Sequence, residues 1–315
     1  MDEADPMDGA DPTGEADPVD EATRVFTDHR ELLFSMVYNL LGTVADTEDV
    51  LQETWLAWSG RHRSAAAGPI LHPRAYLVRT AVNTALARRT EISRRRESYF
   101  GPWLPEPLVA PAEEDPGERA EAVSIALLVV LETLTPLERA VFVLHEVFGY
   151  GHPETAEILG RTPAAVRQLA HRAREHVRAR RPRYRADPAV RRQATERFAA
   201  AVGGGDLDAL LQLLAPDVTL WADGGGKATA AGARPVHGRG QVARLLVGSA
   251  ARARGVRVRW ATANGDPSAV LFVGEAPFAV LVLDLAADGE QVTDIYFVTN
   301  PDKLQGANSV AVEEN

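Results

Sequence analysis

Residues 152 to 181, HPETAEILGRTPAAVRQLAHRAREHVRARR, narrow what this chain can fold into more than any other stretch, because they carry the steric pattern of two helices joined by a tight turn. Counting from His152, the fifth position is the small Ala156, the ninth is Gly160 and the fifteenth is Val166. Ala156 lets the helices touch, Gly160 accepts the positive φ that ends the first, and Val166 plugs the gap between them. Thr162 then caps the second helix and Pro163 occupies its first turn, where a missing N–H costs nothing. Val166, Leu169, Ala170, Ala173 and Val177 make the buried stripe. Arg167, Gln168, His171, Arg172 and Arg174 point elsewhere, with donors suited to bases and phosphates. The unit reads as a helix-turn-helix that enters a DNA groove.

The formal charge of -10 looks unfavourable for DNA binding until it is divided along the chain. Residues 1–23 hold nine acids and no base, residues 24–185 hold 22 bases against 20 acids, and residues 186–315 hold 12 against 15. The first segment repeats Asp-Pro with few large apolar residues, so it is expected to be a disordered acidic tail. It lacks the basic and apolar regions of a signal peptide, and no apolar run approaches a bilayer span, so a cytoplasmic protein with no membrane contact is expected. With no cysteine there is no disulfide or thiolate metal site, and no cofactor or metal is expected.

At 315 residues the chain has room for two or three domains. Residues 24–96 are helical by their three- and four-residue apolar spacing. In DTEDVLQETWLAW, Asp46, Asp49 and Glu53 fall on one line of a helix and Leu51, Trp55 and Trp58 on another, so an acidic stripe runs beside a core face. A loop, RHRSAAAGPILHP, follows, and then a basic helix carrying Arg74, Tyr76, Arg79, Arg88 and Arg89 on its outer side. With Arg61, His62 and Arg63 of the loop, this helix can hold a phosphate backbone and stack an unpaired base. Residues 97–117 break every periodicity and are dense in proline, the mark of an extended linker, yet Trp103 and Leu104 are apolar enough to dock on a neighbour.

The order of these parts resembles the extracytoplasmic-function (group IV) sigma factors of bacterial RNA polymerase over residues 24 to about 182, with DTEDVLQETW similar to region 2.2 and LTPLERAVF through HRAREHV similar to region 4. The resemblance implies sigma region 2 at 24–96, a linker at 97–117 and region 4 at 118–187. It further implies that Asp46, Glu48, Asp49, Gln52 and Glu53 face the β′ clamp helices of core RNA polymerase, and that region 4 meets the β flap and, through Arg161, Thr162, Arg167, Gln168, His171, Arg172 and Arg174, the minus-35 element. The loop 61–73 and the helix with Arg74, Tyr76, Arg79, Asn83, Arg88 and Arg89 would meet the melted minus-10 element of promoter DNA.

After Pro188 the pattern changes to helices followed by VRVRWATA, SAVLFVG, FAVLVLDLA and QVTDIYFVT, segments rich in β-branched and aromatic residues between Gly, Asp or Pro. A helix-led antiparallel sheet is expected over 188–304, with a flexible tail at 305–315. The fold class is thus multidomain, two all-α sigma domains followed by an α+β domain that resembles the SnoaL-like cone. Three short motifs resemble hallmarks of the SigJ-like sigma factors with this fused domain: WLPEP at 103–107, DGGGK at 223–227 and NPDKL at 300–304. That resemblance implies regulation in cis without a separate anti-sigma factor, and an interdomain contact built from Trp103, Leu104, Asp223, Gly224, Gly225, Gly226, Lys227, Asn300, Pro301, Asp302 and Lys303.

Catalysis is not expected. Asp223 is the nearest analogue of an isomerase's general base, Asp284 and Asp294 lie in strands, and no Tyr and acid pair stands at a convincing position. A glycine-flanked Asp223 reads as mobile, where catalysis needs a fixed base. The cone leaves room for an unknown small ligand, and the competing reading is a stand-alone helix-turn-helix regulator that senses such a ligand.

Overall fold

The computed structural model describes residues 18–63, 68, 70–97, 99–112, 123–180, 186–228, 232–253 and 255–312. Three helices, α1 (Pro18–Leu41), α2 (Val44–Arg63) and α3 (Pro73–Glu97), pack as a bundle around Leu33, Met36, Leu40, Val50, Trp58, Leu77 and Val82. Helix α1 therefore begins inside the segment expected to be disordered, and Ala22 is already core: its carbonyl accepts the Trp58 indole N–H at 2.8 Å. Arg61, His62 and Arg63, expected in a loop, form the last turn of α2.

A second helical group follows: α4 (Ile125–Leu131), α5 (Pro136–Phe142) continued by a π-helical turn to Val147, α6 (His152–Leu159) and α7 (Pro163–Arg180). Thr135 and Glu138 form a reciprocal capping box that starts α5. Gly160 ends α6 at φ 62°, a left-handed conformation with no Cβ penalty for glycine, and Thr162 Oγ1 accepts from the Ala165 N–H at 3.2 Å to start α7. Val166, Ala170 and Ala173 are fully buried and share one apolar core with α1–α3, so the two helical groups are pressed together.

The rest is α+β. Helices α8 (Pro188–Gly204), α9 (Leu207–Leu213) and α10 (Arg239–Ala250) cover one face of a sheet ordered β1-β4-β5-β6-β7-β2-β3. Its strands are β1 (Val109–Pro111), β2 (Leu214–Asp223), β3 (Val236–His237), β4 (Val256–Ala263), β5 (Asp266–Val273), β6 (Ala276–Leu285) and β7 (Val292–Val298). Two features depart from the expected antiparallel sheet. Strand β2 runs parallel to β7, and it begins at Leu214, ahead of Pro216, with a register irregularity between Leu214 and Thr219 that accommodates the proline. Strand β1 comes from the linker and pairs antiparallel with β4.

The second face of the sheet is covered as well. Ala263, Val270, Val280, Val282 and Val298 pack with Leu104 and Val109 of the linker, Ile125 of the second helical group, and Leu304 and Ala307. Residues 305–312, expected to be a flexible tail, form a 3-10 helix because Ala307 and Val310 find this apolar surface.

Candidate interdomain lock and nucleic-acid surfaces

The linker crosses between the two halves and is gripped from both sides. On the helical side Glu106 caps α2, accepting the Val44 N–H at 2.8 Å through its carboxylate, while its own N–H donates to the Gly42 carbonyl at 2.9 Å. Its carbonyl accepts the Tyr38 hydroxyl at 2.6 Å. Trp103 lies against the Arg96 guanidinium, whose carbon stands 3.3 Å from the ring centroid.

On the sheet side the centre is Asp223, which is 0% exposed. One carboxylate oxygen accepts the Leu104 N–H at 2.9 Å and the Lys303 ammonium at 2.7 Å. The other accepts the Tyr99 hydroxyl at 2.5 Å and the Gly225 N–H at 3.1 Å. Its carbonyl accepts the N–H groups of Thr299 and Asn300, at 2.7 and 2.9 Å. The Thr299 hydroxyl donates to the same carbonyl at 3.0 Å, so the glycine-flanked aspartate expected to be mobile is fixed by four hydrogen bonds to its carboxylate and three to its carbonyl, since burying a carboxylate demands that its lone pairs be satisfied.

Lys303 also donates to the Leu104 carbonyl at 2.6 Å and lies 4.1 Å from the Trp103 ring centroid. Burial pulls its ammonium below the usual lysine range, and Asp223 opposes that pull. Asn300 donates to the Tyr99 oxygen at 2.9 Å, Lys227 pairs with Asp302 at 2.5 Å on the surface, and Pro301 starts the 3-10 turn that sets Asp302 and Lys303. The glycines have separate tasks. Gly224 accepts the Lys227 N–H, Gly225 at φ 58° leaves no room for a Cβ beside the Asn300 amide, and Gly226 packs under Phe100.

A second grip lies at the β4–β5 turn. Asn264 adopts φ 53° and is 5% exposed. Its side-chain amide donates to Tyr38 Oη at 2.9 Å and to the Val123 carbonyl at 3.1 Å, and its amide oxygen accepts the Leu108 N–H at 3.0 Å. One residue of the sheet domain therefore touches the first helical group, the linker and the start of the second group.

The two helical groups are joined by a buried charge knot. Arg89, Arg96 and Arg139 converge on Glu132, and each guanidinium also donates to a backbone carbonyl at the C-terminal end of α1: Leu40, Leu41 and Asn39 respectively. Burial alone would raise the Glu132 carboxyl, but the three cations outweigh it and hold the group at about 2. Asn83 of α3 donates to the Ile158 carbonyl of α6 at 2.9 Å.

Three family profiles match this chain: Sigma-70 region 2 at residues 25–95, Sigma-70 region 4 at 124–177 and a SnoaL-like domain at 195–302. The ECF RNA polymerase sigma factor SigJ of Mycobacterium tuberculosis is 37% identical over 291 residues, 88% of this chain and 91% of that protein. The chain belongs to the extracytoplasmic-function sigma factors of RNA polymerase. The probable ECF sigma factor SigI of the same species is 31% identical over 281 residues, 88% of this chain and 92% of that one. The crystal structure of M. tuberculosis SigJ superimposes with a TM-score of 0.71 at 36% identity, covering 90% of this chain and 98% of that one. This sigma factor thus carries regions 2 and 4 followed by a SnoaL-like α+β domain, and its function is that of an alternative sigma subunit in transcription initiation.

In this sigma factor Arg161, Thr162, Arg167, Gln168, His171 and Arg172 are exposed along α7 and its approach, and Arg174 is half-buried. Arg172 and Arg174 also approach Glu138 and Glu146, at 3.3 and 3.5 Å. On α3, Arg74 and Arg79 are exposed, while Tyr76 is half-buried against Trp58, with ring centroids 5.7 Å apart. Two residues placed on the DNA face by sequence lie elsewhere. Arg89 is 4% exposed and belongs to the Glu132 knot. Arg88 spans the acidic stripe, reaching Asp46 at 3.6 Å, Glu53 at 3.4 Å, and Asp49, because α2 and α3 pack side by side. Glu48 pairs with Arg30 at 2.7 Å, and Gln52, Glu53 and Leu56 remain exposed.

Glu132, Tyr38 and Tyr99 went unnoticed in the sequence, and Glu106 was seen only as part of WLPEP with no role of its own, because each acts through a partner tens of residues away. Asn264 carried a local signal: Asn-Gly between two apolar runs is the chemistry of a tight hairpin turn.

Proposed function

We propose that this chain is held in a closed form by its own SnoaL-like domain and acts as a sigma subunit once regions 2 and 4 part. The observation that carries the reading is the contact between Asn83 of region 2 and the Ile158 carbonyl of region 4, 2.9 Å apart, beside the shared core. The minus-10 and minus-35 elements stand about 25 base pairs apart, on the order of 80 Å of duplex at roughly 3.4 Å per pair. Modules in van der Waals contact do not reach both at once. Region 4 has to leave α3 before both elements are bound, and that movement breaks the Glu132 knot and pulls on the linker held by Asp223 and Asn264.

In the open form, core RNA polymerase would take the α2 surface of Asp46, Glu48, Asp49, Gln52 and Glu53 on its β′ clamp helices and region 4 at its β flap. Arg88 would then release the acids it now covers. Promoter DNA would meet Arg74, Tyr76, Arg79 and Asn83 at the minus-10 element and the outer residues of α7 at the minus-35 element. The domain would do in cis what a separate anti-sigma protein does in trans, and the chain would act in the cytoplasm beside polymerase. It is no enzyme in this reading, since Asp223, the nearest candidate base, has its carboxylate taken up by the lock.

The test is run-off transcription with purified core polymerase on genomic fragments, together with pull-down of core by wild type and by the Asp49→Arg, Glu53→Arg double variant. Promoter-specific transcripts and reduced recovery of the variant are expected. Equal recovery removes α2 from the polymerase contact, and no transcript from any fragment overturns the sigma reading.

A further inference from the structure

A groove of about 640 Å³ lies outside the lock, beside the part of β4 that β1 does not cover. Strand β1 pairs only with Ala261–Ala263, so among the described residues Val256 to Trp260 have no strand neighbour on that side. Trp260 and Val258, 41% and 43% exposed, form an apolar wall. Arg192 of α8 and Arg259 of β4 stand at the groove with one acid, Glu196, so its charged groups sum to a net positive charge. Arg192 has no ion pair among the described residues, and Arg259 donates to the Val310 carbonyl at 2.7 Å.

The chemistry of these groups selects a class of occupant. A tryptophan and a valine left open at a concave surface present apolar area that a flat apolar body removes from water. Two guanidiniums against one carboxylate favour an anion. The volume falls in the range of small-molecule sites. We infer that this groove binds a small amphipathic anion with a planar apolar body, an aromatic carboxylate or sulfonate in chemical class.

The groove is also bounded by Pro111, at the end of β1, and by Ser309 and Val310 of the terminal 3-10 helix. An occupant touches the linker strand, α8 and the tail together, and binding to that arrangement stabilises it by mass action. This coupling to the tail rests on the closed-state reading; occupancy of the groove does not.

The test uses the full chain and the fluorescent probe 1-anilinonaphthalene-8-sulfonate. Saturable binding at one site is expected, weakened about tenfold by Trp260→Ala and by Arg192→Glu, and unchanged by Val273→Ala, an exposed residue of β5 that does not line the groove. Circular dichroism confirms that the variants are folded. No saturable binding, or the same affinity in all three variants, overturns the site. Hydrogen exchange at residues 305–312 should slow when the probe is bound, and unchanged exchange overturns the coupling. Failure of the closed-state reading would show differently, as unaltered transcription by variants of Asp223 with probe binding intact.

Discussion

Asn264 and Tyr38 lie 226 residues apart in sequence, and the Asn264 amide donates to the Tyr38 hydroxyl at 2.9 Å in a buried site. The same amide holds the Val123 carbonyl, so a single turn of the sheet domain registers both sigma regions against each other. Two substitutions separate its backbone role from its side-chain role. Asn264→Gly keeps access to φ 53° and loses only the side-chain hydrogen bonds; Asn264→Ala loses both and should be the less stable by about 1 kcal/mol. Urea unfolding of the two variants checks the order, and equal midpoints would show that the turn carries no backbone strain.

Removing one partner of the Asp223–Lys303 pair should cost more than removing both. Asp223→Ala leaves the Lys303 ammonium buried without a counter-charge, a loss of about 3–5 kcal/mol. Asp223→Leu with Lys303→Met together should recover a large part of that loss. If the double variant is as unstable as the single one, the hydrogen bonds to Tyr99 and Leu104 dominate and the ion pair is secondary.

The Glu132 knot predicts an acid limb in the stability profile. Its carboxyl titrates at about 2 in the folded chain against 4.5 as its ordinary value. A depressed carboxylate contributes stability that is complete above the ordinary value and is lost as pH falls from about 4.5 towards 2, a span worth about 3 kcal/mol. Glu132→Gln should lower stability at neutral pH and flatten that limb. A thermal denaturation series across this pH window reads both effects, and an unchanged slope in the variant would assign the limb to other carboxylates.

On the DNA side, Arg167→Ala should weaken promoter binding by about 1–3 kcal/mol and relax specificity at one base of the minus-35 element, if the exposed guanidinium reads a base edge with two hydrogen bonds. Footprinting across a set of single-base promoter variants distinguishes this from a phosphate contact, which would weaken all sites alike.

Much of this architecture was legible because it is written locally. The α6–α7 turn follows from Ala156, Gly160 and Val166, and each later strand from its run of β-branched and aromatic residues. Trp103 and Leu104 were conspicuous as apolar residues in a proline-rich stretch, and both are found against the SnoaL-like half. What escaped was non-local. Arg89 falls on the apolar line of α3, with Val78, Val82, Ala85 and Ile92, and Arg79 does not; what the sequence does not show is that Glu132 arrives from region 4 to pair the buried guanidinium. The tail at 305–312 has a weak pattern of its own and is ordered by an apolar sheet face that the sequence does not reveal. Strand β1 is three residues long and contains a proline, below what strand propensity detects.

That short strand changes what counts as a module. By residue order the appended domain starts at Pro188, yet its sheet is completed by Val109–Pro111, and its buried acid is satisfied by Tyr99 and the Leu104 N–H. A graft of residues 188–312 onto another sigma factor would bring an uncapped edge at β4 and an aspartate with half its donors missing. The transferable unit is discontinuous, and a chimera that omits 99–111 tests a different object from the one folded here.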